Sequence, residues 1–228
     1  MIHYAHSRNV HGSEGPRVAL PLILGESAPV SLLDIGCGIG TWMAAAMEAG
    51  INDVRGLDGV IAPAEELVVL PELIVKQDFR EDWGLGRRFD VALCLEVAEH
   101  LDEETGDKLV ASLCEHSDLV VFSAAAPYQD GDHHVNCQWP AHWQEKFNRE
   151  GFACEDAIRW ILWDNQRIEP WYRQNLFIAR KSGEAGAEGR IKSVYHPEMV
   201  SHLDPAKVFP KQFAKRRKGK LLRRLLGK

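Results

Sequence analysis

The sequence has no apolar run long enough to cross a membrane and no leader of the secretory type. A membrane-spanning helix needs about 20 consecutive, mainly apolar residues, and the 228-residue chain contains no such run. Residues 1–8 lack both the basic start and the apolar core of a signal peptide. We therefore expect a protein that does not cross the membrane and stays in the cytoplasm.

Cysteine is scarce, and its spacing indicates neither a disulfide framework nor a zinc site. The five cysteines are an odd number, and no Cys-x-x-Cys pair occurs. Structural zinc sites and small disulfide-rich domains both depend on such paired spacings. The sequence therefore predicts reduced, mostly buried thiols, and nothing in it requires a metal.

Acidic residues are missing from the end of the chain. Residues 205–228 contain ten Lys or Arg and no Asp or Glu, although the net charge of the whole chain is −6. The preceding part is acidic, with 17 basic and 33 acidic residues. An acidic body disfavours nucleic acid as the substrate, because proteins that act on RNA present a basic face around the active site.

Strand and helix patterns alternate from about residue 30 onward. Five short apolar runs predict strands, with helices predicted at 42–50, 103–116 and 139–150, and two late extended segments at 152–158 and 175–179 complete the sheet as an antiparallel pair. This alternation is typical of a doubly wound, mostly parallel, seven-stranded Rossmann-like sheet.

The chain is predicted to contain one domain and an appendage. The stretch 182–190 is rich in small residues and has no apolar anchor, which is typical of a flexible linker. We therefore predict a domain over 1–181, a linker over 182–190 and a basic tail over 191–228.

A glycine-rich turn follows the first predicted strand. Gly36, Gly38 and Gly40 alternate there, and a helix begins directly after them. Glycines in such a turn permit positive φ and let backbone amides approach a ligand at the carboxyl edge of the sheet. Asp58 ends the second predicted strand, 22 residues after Gly36, where a carboxylate can accept hydrogen bonds from ribose hydroxyls.

The turn departs from the pattern of dinucleotide-binding enzymes. Thr41 stands where that pattern has its third small residue, and Asp34 directly precedes the glycines. A carboxylate at this position fits a positively charged ligand better than a pyrophosphate. A cationic cofactor is therefore favoured, and a nicotinamide-dependent oxidoreductase is kept as a lesser alternative.

These features, with the segments 77–79, 89–91 and 96–101, resemble the successive motifs of class I S-adenosylmethionine-dependent methyltransferases. The resemblance covers about residues 30–101 and implies S-adenosylmethionine as the cofactor. It also implies a role for each matching residue. The turn formed by Gly36, Gly38 and Gly40 would surround the amino-acid portion of the cofactor, with Asp34 nearby. Asp58 would bind the ribose, and Asp78 and Phe79 would contact the adenine. Glu96 would lie near the sulfonium.

Residues 127–180 resemble a branch of methyltransferases that often accompanies enzymes of bacterial surface-glycan biosynthesis. The acceptor that this second resemblance implies is a hydroxyl group of a sugar in a surface glycan or its precursor. The chain departs from the branch at Cys137, where an acidic residue is expected.

Two histidines are candidates for the base that removes the proton of the acceptor. His134 is the first choice and His100 the second, because an imidazole with a pKa near 6.5 can accept a proton at neutral pH. A pair of solvated or structural histidines at 133 and 134 is the alternative. Candidate contacts to the acceptor are loop side chains and aromatic faces on which sugars stack, namely His133, Asn136, Trp139, Trp163 and Trp171.

A different class of function is also compatible with the sequence. The chain could keep the fold and the cofactor without catalysis, and use its aromatic second half and its tail to recruit partners. The oligomeric state is left open.

The tail carries a pattern that predicts contact with anionic membranes. Residues 205–228 combine ten basic residues with four leucines, at 221, 222, 225 and 226, that fall on one side of a helix. Each basic residue near an anionic surface contributes about 1 kcal/mol, and this attraction is screened by salt. We expect the protein to co-sediment with anionic vesicles at low salt, and much less with neutral vesicles.

The leucines should add an apolar contribution to this binding. We expect Leu222→Glu with Leu225→Glu to reduce co-sedimentation by more than the change of charge explains. A chain that ends at residue 182 should not bind either type of vesicle. If it sediments as the full-length protein does, the membrane hypothesis is wrong.

Overall fold

The computed structural model describes residues 12–203 and residue 208. The basic tail predicted from residue 191 lies outside the described residues from 204 onward, apart from that one position. Among the described residues, no helix combines the length and the apolar content that crossing a bilayer requires.

A seven-stranded sheet forms the centre of the described chain. Its strands are β1 (Ser31–Ile35), β2 (Asp53–Asp58), β3 (Ile74–Lys76), β4 (Val91–Leu95), β5 (Leu119–Ser123), β6 (Phe152–Glu155) and β7 (Phe177–Lys181). They lie in the order β3-β2-β1-β4-β5-β7-β6. The first five strands are parallel, and β7 runs antiparallel to β5 and β6. The prediction of a mostly parallel, seven-stranded Rossmann-like sheet is confirmed.

Helices cover both faces of this sheet. They are α1 (Glu14–Leu24), α2 (Thr41–Glu48), α3 (Glu103–His116), α4 (Pro140–Arg149), α5 (Ala157–Leu162) and α6 (Pro170–Asn175). Helices α1, α2 and α5 contribute to one apolar core, and α3 and α4 contribute to the other. Helix α3 begins where it was predicted to begin, because the Asp102 side chain accepts a hydrogen bond from the Thr105 amide at 2.9 Å.

The central strands are buried on both sides. Every residue of β1 and of β4 is buried, as expected for parallel strands between two helical layers. Alternate side chains serve the two cores, since Leu33 packs into the core of α3 and Leu32 into that of α1. The order of strands reverses direction between β1 and β4, which places a crevice at their carboxyl ends.

One late segment differs from its prediction. Residues 152–158 were expected to be extended throughout, but β6 ends at Glu155 and helix α5 starts at Ala157. Glu155 and Asp156 interrupt the apolar residues at this boundary, and Asp156 occupies the position before the first residue of the helix.

The segment predicted as a flexible linker packs against the domain. Glu188 Oε1 accepts hydrogen bonds from Asn148 Nδ2 at 2.6 Å and from the Cys154 amide at 3.0 Å. Ile191 is buried in the core beneath it. The predicted boundary at residue 181 is therefore corrected, because a single acidic side chain and one isoleucine anchor a stretch whose composition indicates flexibility.

Residues 191–203, which we call the C-terminal strap, continue this packing. Met199 is buried, and Glu198 forms an ion pair with the buried Arg173 at 2.6 Å. The strap ends in an isolated bridge between Leu203 and Gln129. A shortened chain for the vesicle experiment should therefore end after residue 203 and not at residue 182.

Candidate active site

The glycine turn joins β1 to α2 at the reversal of strand order. The φ values of Gly36, Gly38 and Gly40 are 70°, 57° and 88°, and residues with a Cβ atom rarely adopt such values. A Cβ on Gly36 would lie 2.3 Å from Val97 Cγ2. The turn and the loop after β4 are therefore in direct contact, and together they form one wall of the crevice.

Asp58 fixes the conformation of this turn. Its carboxylate accepts hydrogen bonds from the Gly38 amide at 2.9 Å and from the Val60 amide at 2.8 Å. The sequence predicted only a ligand-binding role for Asp58, and the structure gives it a structural role as well. Each of its two carboxylate oxygens accepts one of these backbone hydrogen bonds.

Asp34 is a buried acid without compensation among the described residues. Its side chain is 3% exposed, and its Oδ2 atom has no hydrogen-bond partner there. Burial, assisted by the nearby carboxylate of Asp58, raises the pKa of Asp34 to about 8. An acid in this state is suited to a positively charged group, which would stabilise its ionised form. The residues of the turn thus fit a cationic cofactor.

Asp78 and Phe79 follow β3 at the same edge of the sheet. The Gln77 amide donates to the Asp58 carbonyl at 2.9 Å, which holds this segment beside the turn. The half-exposed carboxylate of Asp78 forms an ion pair with Arg80, and this contact lowers its pKa to about 2. Phe79 is buried in the core. The structure therefore provides a competing partner for Asp78, and its contact with adenine stays a prediction.

Glu96 lies directly after β4 in a left-handed backbone conformation, with φ of 56°. Its amide donates to the Ser123 carbonyl at 3.0 Å. Its carboxylate accepts hydrogen bonds from Gln129 Nε2 at 3.1 Å and from Asn175 Nδ2 at 3.2 Å. Burial raises the pKa of Glu96, although these hydrogen bonds oppose the shift. Strain of this kind is concentrated at functional sites.

No role was predicted from the sequence for Gln129 or Asn175. Both amides are buried, and Asn175 also donates to Gln129 Oε1 at 3.2 Å. The signal in the sequence was weak, because Gln129 lies in the loop after β5 and Asn175 is the second of two adjacent amide residues just before β7. Asn175 is linked through Gln174 to the strap, because Gln174 Nε2 donates to Asn175 Oδ1 at 3.0 Å and Gln174 Oε1 accepts from the His196 amide at 2.8 Å.

The two candidate bases lie side by side. The amides of Val135 and Asn136 donate to the Glu99 carbonyl at 2.9 and 3.0 Å, so the loop after β5 is fastened to the loop after β4. This contact brings the His100 and His134 rings to 5.0 Å between centroids, edge to face. Burial, assisted by His134, lowers the pKa of His100 to about 4. His100 is therefore neutral at physiological pH.

Glu99 completes a cluster with these histidines. One ligand atom from each of Glu99, His100 and His134 lies within 4.8 Å of the others. Glu99 is fully buried, and burial together with the neighbouring Glu96 raises its pKa well above the usual range. Glu99 lies in the segment 96–101, but no role was predicted for it from the sequence.

The predicted acceptor contacts do not all converge. His133 is exposed, whereas Asn136 is buried, and its Oδ1 accepts from Gln138 Nε2 at 3.0 Å. Trp139 meets Tyr195 of the strap edge to face, with ring centroids 5.3 Å apart. Trp139 therefore lies in the wall that the strap and the loop after β5 form together.

The remaining two tryptophans lie around α5 and α6. Trp163 packs against His196 of the strap at 4.5 Å between ring centroids. Trp171 is half-buried and meets Tyr172, which in turn packs edge-on against Trp42 in the first turn of α2 at 5.3 Å. Their contact with an acceptor remains a prediction.

The fold and the site define a class of protein: a Rossmann-like domain whose glycine turn, with the buried Asp34 beside it, suits a positively charged cofactor. The family model described as "Methyltransferase domain" matches residues 8–168. The chain belongs to this methyltransferase family. No curated protein matches the chain.

Solved structures share the fold at low sequence identity. DesVI of Streptomyces venezuelae is 17% identical, with 75% of this chain and 91% of that chain covered and a TM-score of 0.56. The methyltransferase domain of bacterial CtHen1-C is 16% identical, with 75% and 98% covered and a TM-score of 0.55. Magnesium protoporphyrin IX methyltransferase (ChlM) from Synechocystis PCC 6803, with bound SAH, is 18% identical, with 72% and 80% covered and a TM-score of 0.52. These similarities establish the fold.

The buried acid of the glycine turn should make stability depend on pH. Asp34 has a pKa of about 8 in the folded chain, against 3.8 for an ordinary aspartate. The folded state therefore binds more protons between these values, and the free energy of unfolding should fall as the pH rises through this range. Asp34→Asn removes this dependence. The free energy of unfolding of the ligand-free variant should therefore rise, relative to that of the native protein, by up to about 1.4 kcal/mol for each pH unit in this range.

Denaturant unfolding at about pH 5, 7 and 9 measures this effect. Asp53→Asn is the matched control, because Asp53 lies at the exposed start of the strand that Asp58 ends. A difference in stability between Asp34→Asn and the native protein that stays constant with pH would show that Asp34 is ordinarily ionised.

Proposed function

We propose that the chain transfers the methyl group of S-adenosylmethionine to a hydroxyl group, and that the acceptor is a sugar of a surface glycan or its precursor. The observation that carries the choice of cofactor is the buried, uncompensated carboxyl of Asp34 next to the glycine turn. Membership of the methyltransferase family supports the reaction. The bound SAH of the structural neighbour ChlM agrees with this cofactor.

The residues of the turn would hold the cofactor by complementary charge and close approach. S-adenosylmethionine supplies an activated methyl group on a sulfonium and a neutral leaving group. Its α-ammonium group gives Asp34 the positive partner that the described residues do not provide. Asp58 would accept hydrogen bonds from the ribose while it holds the Gly38 amide. This arrangement makes cofactor binding and the ionisation of Asp34 mutually dependent.

The histidine pair supports a hydroxyl acceptor. A hydroxyl group must lose its proton as its oxygen forms the bond to the methyl carbon and the bond from that carbon to sulfur breaks. His100 is neutral at physiological pH, but its lowered pKa makes it a weak base, so a ring nitrogen of the neighbouring His134 is the favoured proton acceptor. The protein contributes mainly position and the exclusion of water.

The proposal of a sugar acceptor rests on the resemblance of residues 127–180 to the branch that accompanies glycan-biosynthesis enzymes, and on the aromatic residues near the site. Trp139 and Trp163 both contact the strap, and a flat aromatic surface suits the apolar face of a sugar ring. The acidic character of the body, which disfavours RNA, also supports this choice. A cytoplasmic enzyme held at an anionic membrane by its basic tail is part of the same proposal.

Of the alternatives, a cofactor-binding subunit without catalysis is the more serious one. It would bind S-adenosylmethionine through the same turn, and it would transfer no methyl group. The match to the methyltransferase family argues against the oxidoreductase.

Replacement of Asp58 tests the cofactor site. We expect Asp58→Ala to weaken the binding of S-adenosylmethionine by more than tenfold, because hydrogen bonds to a charged group contribute about 1.5–3 kcal/mol each. Calorimetric titration measures the dissociation constant, and Asp53→Ala on the same strand should leave it unchanged. An unchanged constant in a folded Asp58→Ala protein would remove Asp58 from the cofactor site.

Transfer of a labelled methyl group tests the acceptor class. With a panel of sugars and nucleotide sugars, we expect a product that survives mild alkali, as a methyl ether does and a methyl ester does not. His134→Ala should lower kcat by about 10²–10⁴ with nearly unchanged cofactor affinity. The control variant His142→Gln alters a histidine on α4 that pairs with Glu103 of α3, and it should have the same activity as the native protein.

Two outcomes would contradict this proposal. A base-labile product would identify a carboxylate acceptor in place of a hydroxyl group. Cofactor binding without transfer to any member of the panel would favour the non-catalytic subunit.

A further inference from the structure

Three potential metal ligands converge in the wall of the crevice. Ligand atoms of Glu99, His100 and His134 lie within 4.8 Å of one another, with Glu99 buried and both histidines half-buried. They come from two separate loops, one after β4 and one after β5. Their proximity is therefore a product of the fold and not of adjacency in the chain.

The carboxylate of Glu99 supplies an independent observation. The side chain has no exposed surface, and among the described residues neither of its oxygens has a hydrogen-bond partner of ordinary geometry, although the backbone of Ala125 lies close enough to interact with the carboxyl. An uncompensated buried carboxylate is costly, and a bound cation is one way to remove that cost. The neighbouring carboxylate of Glu96, which Gln129 and Asn175 hold, adds negative charge to the same region.

The spacing is close to that of a bound ion. Metal–nitrogen and metal–oxygen bonds to a transition ion are about 2.0–2.2 Å long, so two ligands of one ion are at most about 4.4 Å apart. The three ligand atoms lie within 4.8 Å of one another, which is at most a fraction of an ångström beyond this limit. Small rotations of the three side chains would close the difference.

We propose that Glu99, His100 and His134 form a binding site for a divalent transition-metal ion such as Zn²⁺ or Co²⁺. Two imidazoles and one carboxylate suit such ions, whereas Mg²⁺ and Ca²⁺ prefer a set of oxygen ligands. This proposal departs from the expectation, drawn from cysteine spacing, that no metal is required.

The loop after β5 is built to bring His134 to this position. A Cβ on Gly131 would lie 2.2 Å from His134 Nε2, so the imidazole occupies space that any other residue at 131 would fill. The amides of Val135 and Asn136 hold the same loop to the Glu99 carbonyl. The contact with Gly131 and the two backbone hydrogen bonds thus fix His134 relative to Glu99.

The consequence for catalysis rests on the proposed methyl transfer. Three protein ligands leave positions on the ion for the oxygen of the acceptor, and coordination lowers the pKa of a bound hydroxyl group. Its proton would then pass to water, because a His134 nitrogen that binds the ion cannot also accept the proton. The histidines would hold the acceptor through the ion instead of acting as bases.

Titration of the chelator-treated, full-length protein with Zn²⁺ tests the site. We expect one ion bound with high affinity, and a visible absorption spectrum of a protein-bound ion when Co²⁺ replaces Zn²⁺. Glu99→Gln and His134→Ala should each weaken binding at least about 100-fold, since each removes a ligand. His142→Gln is the matched control and should bind Zn²⁺ as the native protein does.

A second variant protects the test against misfolding. Gly131→Val keeps all three ligands but displaces His134, so it should also weaken Zn²⁺ binding. S-adenosylmethionine affinity, measured on the same samples, should be unchanged in all variants. If the native protein binds S-adenosylmethionine but no Zn²⁺ or Co²⁺, or if the variants bind Zn²⁺ equally well, the metal site is overturned and the proposed function stands.

Discussion

The burial of acidic groups at one edge of the sheet is the constraint on which this structure depends. Asp34, Asp58, Glu96 and Glu99 all lie at or just beyond the carboxyl ends of β1, β2 and β4. Water would solvate each carboxylate better than a protein interior does, so each requires a compensating partner. Asp58 obtains backbone amides and Glu96 obtains side-chain amides. Asp34 Oδ2 and both carboxyl oxygens of Glu99 lack a hydrogen-bond partner of ordinary geometry among the described residues, and these are the two positions at which we propose that a cation binds.

The topology explains why these groups meet. Parallel strands present their carboxyl ends together, and the reversal of order between β1 and β4 separates the following loops enough to leave a crevice. The glycine turn and the loop after β4 then touch through Gly36 and Val97. A side chain at the turn would therefore disturb the acids beyond β4 as well as the cofactor space.

The sequence predicted the parts of this arrangement that local pattern determines. Helix α3 occurs at its predicted bounds, because apolar periodicity and the Asp102 cap specify them within a few residues. The glycine turn was found for the same reason. The packing of residues 182–203 was missed, because it depends on pairs such as Glu188 and Asn148, 40 residues apart. The role of Glu99 was also missed, since its neighbour His134 comes from another loop and only the fold brings the two together.

The strap gives a reason for this long-range packing. Asn175, which donates a hydrogen bond to Glu96, accepts one from Gln174, and Gln174 accepts one from the His196 amide of the strap. Arg173, in the same helix as Gln174, is buried and is neutralised by Glu198 of the strap. Removal of one partner of such a pair would leave a buried charge without compensation, which destabilises a protein strongly. Buried acids in the crevice lower the stability of the ligand-free domain, and the strap offsets part of that cost while it keeps the amides around Glu96 in place. The segment whose composition indicates a linker is thus part of the structure that keeps the acidic crevice intact.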